Sequence, residues 1–173
     1  MQANYIDVTD EWLKNARPNS HKVREMNYFE INGVKHYVDG KNIILDYSKE
    51  EKECALWLEK MFGGEIYLVP RVNYPDGIST PDFIWNNNYW DLKVVKSSGC
   101  RALDNRMRDT RNQSSNFIID IMNNLLSDNK FIYQIKRLFD SNERYWVHQI
   151  ILKRGERLIG VYKRKIRLTP SQT

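Results

Sequence analysis

The spacing of hydrophobic residues predicts a helix followed by a strand in the middle of the chain. After Ser48, which can cap the free amides of a first turn, apolar residues recur at spacings of three and four as far as Phe62. Gly63 then ends the predicted helix. Residues 65–72 are rich in branched and aromatic side chains and predict a strand, and Pro70 favours a sheet edge or a bulge for it.

The rest of the chain continues this alternation of helices and strands. The pattern predicts strands over 80–85 and 89–95, a surface helix or helical loop over 101–113, a strand over 116–121, an amphipathic helix over 125–139 that begins near Ser127, and a final hairpin over 145–152 and 157–162. Asn32-Gly33 predicts a small hairpin within a polar lead-in segment, residues 1–47. Residues 48–173 are therefore predicted to form a mixed α/β domain around one central sheet.

The strand pair in the middle of the chain carries an acidic residue on each arm. If Asn86 and Asn87 form the loop, Asp82 lies opposite Asp91; a loop one residue later places Asp82 opposite Lys93 instead. In both registers the three charged side chains share one face, because side chains alternate with a period of two along a strand. A three-residue loop would break this arrangement.

Two carboxylates on neighbouring strands repel each other unless a positive charge lies between them. Asp82 and Asp91, with Lys93 beside them, therefore predict a site for a divalent cation with oxygen ligands. The competing interpretation is a turn residue and a solvated strand face. The apolar neighbours Trp90 and Leu92 favour a functional site, because they indicate a strand that is buried on at least one face.

Composition and charge narrow the class of protein. The chain has 173 residues, 41% of them hydrophobic, which suits one folded domain. Its net charge of +5 suits a partner that carries phosphates without requiring one. The two cysteines, Cys54 and Cys100, predict neither a disulfide framework nor a zinc cluster. No apolar stretch approaches the roughly 20 residues of a membrane span, and the first residues predict no export signal.

The acidic strand pair and the helix before it resemble a known nuclease superfamily. An acid in a first helix, Glu53, then Pro81-Asp82 on one strand and Asp91-Leu92-Lys93 on the next, is similar to the PD-(D/E)XK nucleases. The resemblance covers residues 48–162 and implies a PD-(D/E)XK-like αβββαβ core in the mixed α/β sheet, flanked by the N-terminal hairpin and the C-terminal β-hairpin.

A narrower resemblance concerns toxins. Residues 80–83, 90–93 and 112–120 are similar to the C-terminal tRNA-nuclease toxin domain of contact-dependent growth-inhibition proteins of the CdiA type, and to related domains of phage and mobile-element proteins. The resemblance implies tRNA as the substrate, a cognate immunity protein as a partner, action in the bacterial cytoplasm, and delivery as the C-terminal part of a larger secreted protein.

The resemblance to these nucleases also implies a role for each residue of the site. Asp82 and Asp91 would bind a metal ion, Mg²⁺ being the expected one, and Glu53 would bind the same metal or orient water. Lys93 would be the charge beside the attacked phosphate, and Gln113 a polar residue near it. Asp91 stands where Glu is more usual in the superfamily, which shortens the reach by one methylene group and leaves the metal preference open.

Cleavage at this site has two routes that the sequence leaves open. A metal-bound water could attack the phosphate, or the 2′-hydroxyl of RNA could attack it without metal while an acidic residue acts as general base. We expect the basic residues of the predicted helix or helical loop over 101–113 to hold the phosphate backbone beside the acids: Arg101, Arg106, Arg108 and Arg111. The alternatives to an RNA nuclease are a metal-dependent DNA endonuclease of the same fold and a non-catalytic nucleic-acid-binding module.

Overall fold

The structure is a computed structural model that describes residues 4–122 and 126–166. The helices are α1 (Thr9–Asn15), α2 (Lys49–Met61), α3 (Ala102–Met107) and α4 (Asp128–Asp140), followed by a 3-10 turn at Asn142–Arg144. The strands are β1 (Tyr5–Asp7), β2 (Arg24–Glu25), β3 (Tyr28–Ile31), β4 (Val34–Tyr37), β5 (Ile43–Ile44), β6 (Ile66–Leu68), β7 (Arg71–Val72), β8 (Phe83–Trp85), β9 (Asn88–Val95), β10 (Asn116–Ile121), β11 (Gln149–Arg154) and β12 (Arg157–Arg164). None of the helices in these ranges has the length and apolar character needed to cross a membrane.

Eight of these strands form one mixed sheet, in the order β1-β12-β11-β10-β9-β8-β6-β2. β10 runs parallel to both β9 and β11, and α3 and α4 are the crossover connections that parallel pairing requires. β6, β8 and β9 form an antiparallel meander. The predicted mixed α/β fold with one central sheet is confirmed. That the order α2-β6-β8-β9-α3-β10 is a PD-(D/E)XK core stays a prediction.

Helix α2 begins as the sequence predicts. The Ser48 hydroxyl accepts a hydrogen bond from the Glu51 amide at 3.1 Å, and the Glu51 carboxylate accepts one from the Ser48 amide at 2.9 Å. This reciprocal capping box satisfies two amides that the first turn leaves without a helical partner. The buried face of α2, which includes Ala55 and Leu58, packs on one face of the sheet.

The opposite face of the sheet is covered by α3 and α4. Leu103 of α3 and Phe131 of α4 are fully buried against Phe117 and Ile119 of β10. Val95 belongs to this same cluster. Side chains alternate along β9, and Asp91 and Lys93 are four and two positions before Val95. Their side chains therefore lie on the same face of the sheet as Val95, the face that α3 and α4 cover.

The lead-in segment contributes to the same sheet and core. β1 pairs antiparallel with β12, and β2 pairs parallel with β6. Trp12 of α1 packs edge-on against Phe62, Trp85 and Trp90. The sequence pattern did not predict β1 and β2, because strands of two or three residues carry too few positions to show an alternation.

A close backbone contact fixes where the lead-in segment crosses the end of α2. The Arg17 amide donates to the Phe62 carbonyl at 2.8 Å, and Gly63 has a φ of 72°. A Cβ atom on Gly63 would lie 1.8 Å from the Arg17 carbonyl oxygen. Gly63 therefore both ends the helix and allows the lead-in segment to pass against it.

Other predicted elements also differ in their bounds: the strand predicted over 145–152 is β11, which begins at Gln149, and the helix predicted over 101–113 is the shorter α3. The strand predicted over 65–72 is interrupted at Pro70, so β6 joins the main sheet and β7 pairs with β5. The strand predicted over 80–85 begins at Phe83, and the helix predicted from 125 begins at Asp128, with Ser127 as its N-cap. Residue 125 lies outside the described residues. The predicted Asn32-Gly33 hairpin is confirmed as β3 and β4.

We expect Trp12→Ala to lower the free energy of unfolding by about 2–3 kcal/mol, since Trp12 is partly buried and complete burial would give about 3–5 kcal/mol. Urea denaturation followed by circular dichroism measures the difference. Leu13→Ala is the matched control, because Leu13 is 44% exposed on the same helix; its effect should stay within about 0.5 kcal/mol. Equal effects of the two substitutions would contradict the packing of α1 into the core.

Candidate active site

The turn between β8 and β9 fixes the register of the two acidic strands. Asn86 and Asn87 have φ values of 48° and 64°, which asparagine tolerates better than most residues do. Trp85 pairs with Asn88 and Phe83 pairs with Trp90, so the predicted two-residue loop is confirmed. The Asn86 side-chain oxygen also accepts a hydrogen bond from the backbone before β6, at 3.0 Å. The turn is thus held on both sides.

This register brings Asp82 and Asp91 together. The Leu92 amide donates to the Asp82 carboxylate at 2.7 Å, and the Asp91 carboxyl group lies close enough to act on it electrostatically. Asp91 is only 2% exposed. Burial, then the charges of Asp91 and Glu51, raise the pKa of Asp82 to about 8, against the opposing effect of the Leu92 amide. Asp82 is therefore largely protonated at neutral pH.

Lys93 connects this pair to a polar side chain from another part of the chain. Its ammonium group is ion-paired with the Asp91 carboxylate and donates to the Gln113 side-chain oxygen at 2.9 Å. The side chain of Lys93 is 18% exposed. Asp82, Asp91, Lys93 and Gln113 thus form one continuous network on the sheet, which we call the acid–lysine network.

Glu53 does not join this network. Its side chain is 61% exposed and pairs with Lys49 at 3.6 Å. The core-facing stripe of α2 includes Cys54 and Leu58, and from the edge of that stripe the flexible Glu53 side chain extends into solvent. The expectation that Glu53 reaches the acidic face is therefore wrong in this structure.

The carboxylate of α2 that acts on the site is Glu51. Its charge contributes to the raised pKa of Asp82, and its side chain is only 14% exposed. Glu51 is also the capping partner of Ser48, and this local role does not reveal its second effect on Asp82. Glu51 also forms an ion pair with Arg71 at 3.3 Å. The positive charge of Arg71 therefore reduces the electrostatic effect of Glu51 on Asp82.

Gln113 leads from the network into a cavity of about 1010 Å³. The cavity lies where β9, β10 and β11 begin and β12 ends, and Asp82, Asp91 and Lys93 are not among its lining residues. Gln113 is therefore the residue that the network and the cavity share. We call this space the strand-end cavity.

The four predicted phosphate-binding arginines are all exposed but do not form one surface with the acids. Arg111 lines the strand-end cavity. Arg101 lines a separate, smaller cavity of about 320 Å³ next to Arg137. Arg106 and Arg108 flank the end of α3 and line neither cavity. Nucleic-acid binding by these arginines stays a prediction, with Arg111 the best placed.

The donor set of the site fits a magnesium ion only in part. Within residues 4–122 and 126–166, no group of three or more His, Cys, Asp or Glu side chains could hold a metal ion. Glu53, the predicted third ligand, points elsewhere. Asp82 and Asp91 remain, and Mg²⁺ is commonly held by one or two carboxylates, several waters and a substrate phosphate. The pair fits such an ion once Asp82 has released its proton.

Sequence reasoning missed the residues that shape the strand-end cavity. Tyr145 and Lys163 come from opposite ends of the last hairpin region and meet only through the pairing of β11 with β12. The one feature of the sequence that marks them is a neighbouring arginine, Arg144 for Tyr145 and Arg164 for Lys163. Such a signal does not show which side chains line a cavity.

Comparison with known proteins supports a toxin. Residues 79–158 match the family model of the contact-dependent growth inhibition CdiA C-terminal domain. The matched range contains the whole acid–lysine network, whereas Glu53 lies before it. The match supports a CdiA C-terminal toxin domain, and toxin domains of this kind are typically nucleases. Comparisons with curated proteins and with solved structures gave no match.

The raised pKa of Asp82 predicts a pH-dependent effect of Asp82→Asn on stability. An unfolded Asp titrates near 3.8 and Asp82 titrates at about 8, so between these values the folded protein binds more protons and the stability of the wild type falls as pH rises. Asparagine has nearly the same shape as aspartic acid and does not titrate. We expect the variant to exceed the wild type in Tm by at least about 2–4 °C at pH 8.

This advantage of the variant should disappear near pH 3, below the unfolded pKa of 3.8, where Asp82 is protonated in the unfolded chain as well. Melting curves recorded in EDTA at both pH values exclude a contribution from bound metal. Asp109→Asn is the control, because Asp109 is an exposed carboxylate outside the acid–lysine network. A Tm difference that is the same at both pH values would contradict the raised pKa.

Proposed function

We propose that this protein is a toxin-type ribonuclease that cleaves phosphodiester bonds of RNA, with tRNA as its substrate. The observation that supports it most is the acid–lysine network: a protonated Asp82, a buried Asp91 and an ion-paired Lys93 that contacts Gln113 at the wall of a large cavity. The match to a CdiA C-terminal domain spans this network. A non-catalytic RNA-binding module would have no need to bury two carboxyl groups against each other.

Lys93 is the electrostatic catalyst in this proposal. Its ammonium group would stabilise the additional negative charge that the phosphate acquires in the transition state. Gln113 holds that ammonium group at 2.9 Å and so acts as a positioning residue. Asp91 fixes Lys93 from the other side. Both contacts leave the ammonium group at a fixed place on the sheet before substrate arrives.

Asp82 and Asp91 are the proposed ligands of Mg²⁺. When bound there, the ion would polarise a phosphate oxygen and lower the pKa of its water. Asp82 must release its proton before both carboxylates can bind a cation, so occupancy by the ion would increase as pH rises toward the pKa of Asp82, about 8.

The 2′-hydroxyl of RNA offers a second route at the same residues. Here the Asp91 carboxylate would take the proton of the attacking 2′-hydroxyl, and Asp82 would give its proton to the leaving 5′-oxygen. Lys93 would stabilise the phosphate as before. This route needs Asp82 protonated, so its rate would fall as pH rises past about 8. The two routes therefore differ in the sign of their pH dependence.

The choice of RNA, and of tRNA in particular, rests on the resemblance to growth-inhibition toxins. A metal-dependent DNA endonuclease would use the same carboxylates and lysine, and the experiment below includes DNA for that reason. As a toxin domain, the protein would be delivered as the end of a larger secreted protein and act in the cytoplasm of a target bacterium. A cognate immunity protein would then protect the producing cell.

The basic surface is the proposed site of inhibition. An acidic immunity protein could bind the exposed arginines of 101–111 and, at Arg111, block the strand-end cavity that leads to the network. Charge complementarity would also increase the association rate of such a pair. The net charge of +5 on the toxin side is consistent with an acidic partner.

Expression in a bacterium tests the proposed nuclease. The wild-type chain should arrest growth and leave cleaved tRNA, whereas Asp82→Ala, Asp91→Ala and Lys93→Ala should each reduce cleavage by at least about 100-fold, because each removes a group that acts on the reacting phosphate. Northern blots of total tRNA and cleavage of purified tRNA and plasmid DNA measure the activity. Circular dichroism verifies that each variant is folded.

Two substitutions serve as matched controls for this experiment. Lys96→Ala removes an exposed lysine just after β9, and Asp109→Asn removes an exposed carboxylate near α3. Both should retain wild-type toxicity. Cleavage of plasmid DNA in preference to tRNA would replace the proposed substrate, and growth arrest in all three network variants would show that the toxicity comes from another site.

The metal is tested by the pH profile of cleavage with Mg²⁺ and with EDTA. We expect EDTA to abolish cleavage, and activity in Mg²⁺ to rise as pH increases toward 8, since Asp82 must lose its proton to bind the ion. Mg²⁺ should also raise the Tm of the wild type and not that of Asp82→Asn. Activity that persists in EDTA and falls above pH 8 would assign the reaction to the 2′-hydroxyl route.

A further inference from the structure

We infer that the strand-end cavity binds unpaired nucleotides of the RNA substrate and thereby selects single-stranded RNA segments over duplex. This inference rests on the proposed function and names the part of the substrate that the site recognises. The cavity has a volume of about 1010 Å³, at the upper end of the roughly 300–1,000 Å³ typical of small-molecule sites. A cavity of this volume has room for more than one nucleotide base.

The charge of the cavity suits phosphates. Arg111, Lys163, Arg164 and Lys165 line it, and none of its lining residues within 4–122 and 126–166 is an aspartate or a glutamate. The chain as a whole has 22 acidic residues against 27 Lys and Arg, so their complete absence from this lining is a local feature. Arg164 is committed to backbone carbonyls of Phe139 and Arg144, at 2.7 and 2.9 Å. Arg111, Lys163 and Lys165 are therefore the proposed phosphate contacts.

The aromatic residues of the cavity offer faces for stacking. Tyr145 is 53% exposed, and the Arg111 guanidinium lies 5.1 Å from the centre of its ring. Tyr89, on the other side of the cavity, is 44% exposed. Unpaired bases stack on aromatic rings and on guanidinium planes, whereas bases inside a duplex have no free face. The Arg111–Tyr145 pair therefore favours a single strand.

Exposed amide side chains complete the chemistry of recognition. Asn87, Asn88, Asn112 and Asn142 line the cavity and are all exposed. An amide offers both donors and an acceptor, which is what the Watson–Crick edge of an unpaired base requires. In a duplex these base edges are already occupied.

Gln113 connects this binding site to the chemistry. Its side chain accepts the hydrogen bond of Lys93 and also lines the cavity. A nucleotide held against Gln113 would place a neighbouring phosphate toward Lys93. Binding of the unpaired segment would in this way determine which phosphodiester bond reaches the acid–lysine network.

Binding is measured with a chain that does not cleave, Asp82→Asn, and a fluorescent single-stranded RNA of about 8 nucleotides. Fluorescence anisotropy should show tighter binding of this strand than of the same sequence in a duplex. A second substitution in this Asp82→Asn chain, Tyr145→Ala, should weaken single-strand binding by about 5- to 100-fold, the loss expected for one stacked base. Adding Lys163→Ala should reduce the salt dependence of binding by a slope of about 0.7.

Tyr133→Ala is the matched control, since Tyr133 is 59% exposed on α4 and does not line the cavity. It should leave binding unchanged. Equal affinity for single strand and duplex, or an effect of Tyr145→Ala no larger than that of Tyr133→Ala, would overturn the inference even if the wild type cleaves tRNA. Tight, Tyr145-dependent binding by a chain whose wild type cleaves nothing would instead retain the inference and reject the proposed nuclease.

Discussion

The pairing of Asp82 with Asp91 is the constraint on which the candidate site depends. The Asn86-Asn87 turn fixes the register, and the register forces two carboxyl groups into contact on a largely buried part of the sheet. Both cannot be ionised there without a compensating positive charge. Lys93 supplies one charge, and the remaining repulsion is relieved by a proton on Asp82. Asp82 thus holds a proton that it can exchange for a cation or give to a reacting group.

A second aspartate–lysine pair on the same sheet shows that an ion pair alone does not make a site. Lys153 donates to Asp120 at 2.7 Å, and the other oxygen of Asp120 accepts from the Gly155 amide. Here one acid faces one base, so the charges are matched. Neither residue lines any of the cavities described above. What distinguishes the Asp91–Lys93 pair is the additional carboxyl group and the connection through Gln113 to a cavity.

The sequence predicted what depends on near neighbours and missed what depends on tertiary packing. The hairpin register and the capped helix were predictable, because turn and cap residues act within a few positions. Glu53 was misplaced, because the choice between Glu51 and Glu53 depends on how α2 is rotated against the sheet. The strand-end cavity was missed, because its wall combines residues from the start of β9 and the end of β12, which the sequence separates widely.

The proposed binding surface, the strand-end cavity, and the proposed reactive groups, Asp82 and Asp91, lie in different places in this structure. The cavity is lined by cations, whereas the reactive pair is acidic. A phosphate approaching two acidic residues would be repelled if those residues faced the binding surface directly. Asp91 is instead buried and Asp82 half-buried, while the described residues that line the strand-end cavity include cations and no acids. The strand-end cavity can thus attract the substrate, and the substrate then meets the acid–lysine network at the neutral side chain of Gln113, which belongs to both. This separation lets the carboxyl pair keep its raised pKa without weakening the electrostatic attraction that brings nucleic acid to the protein.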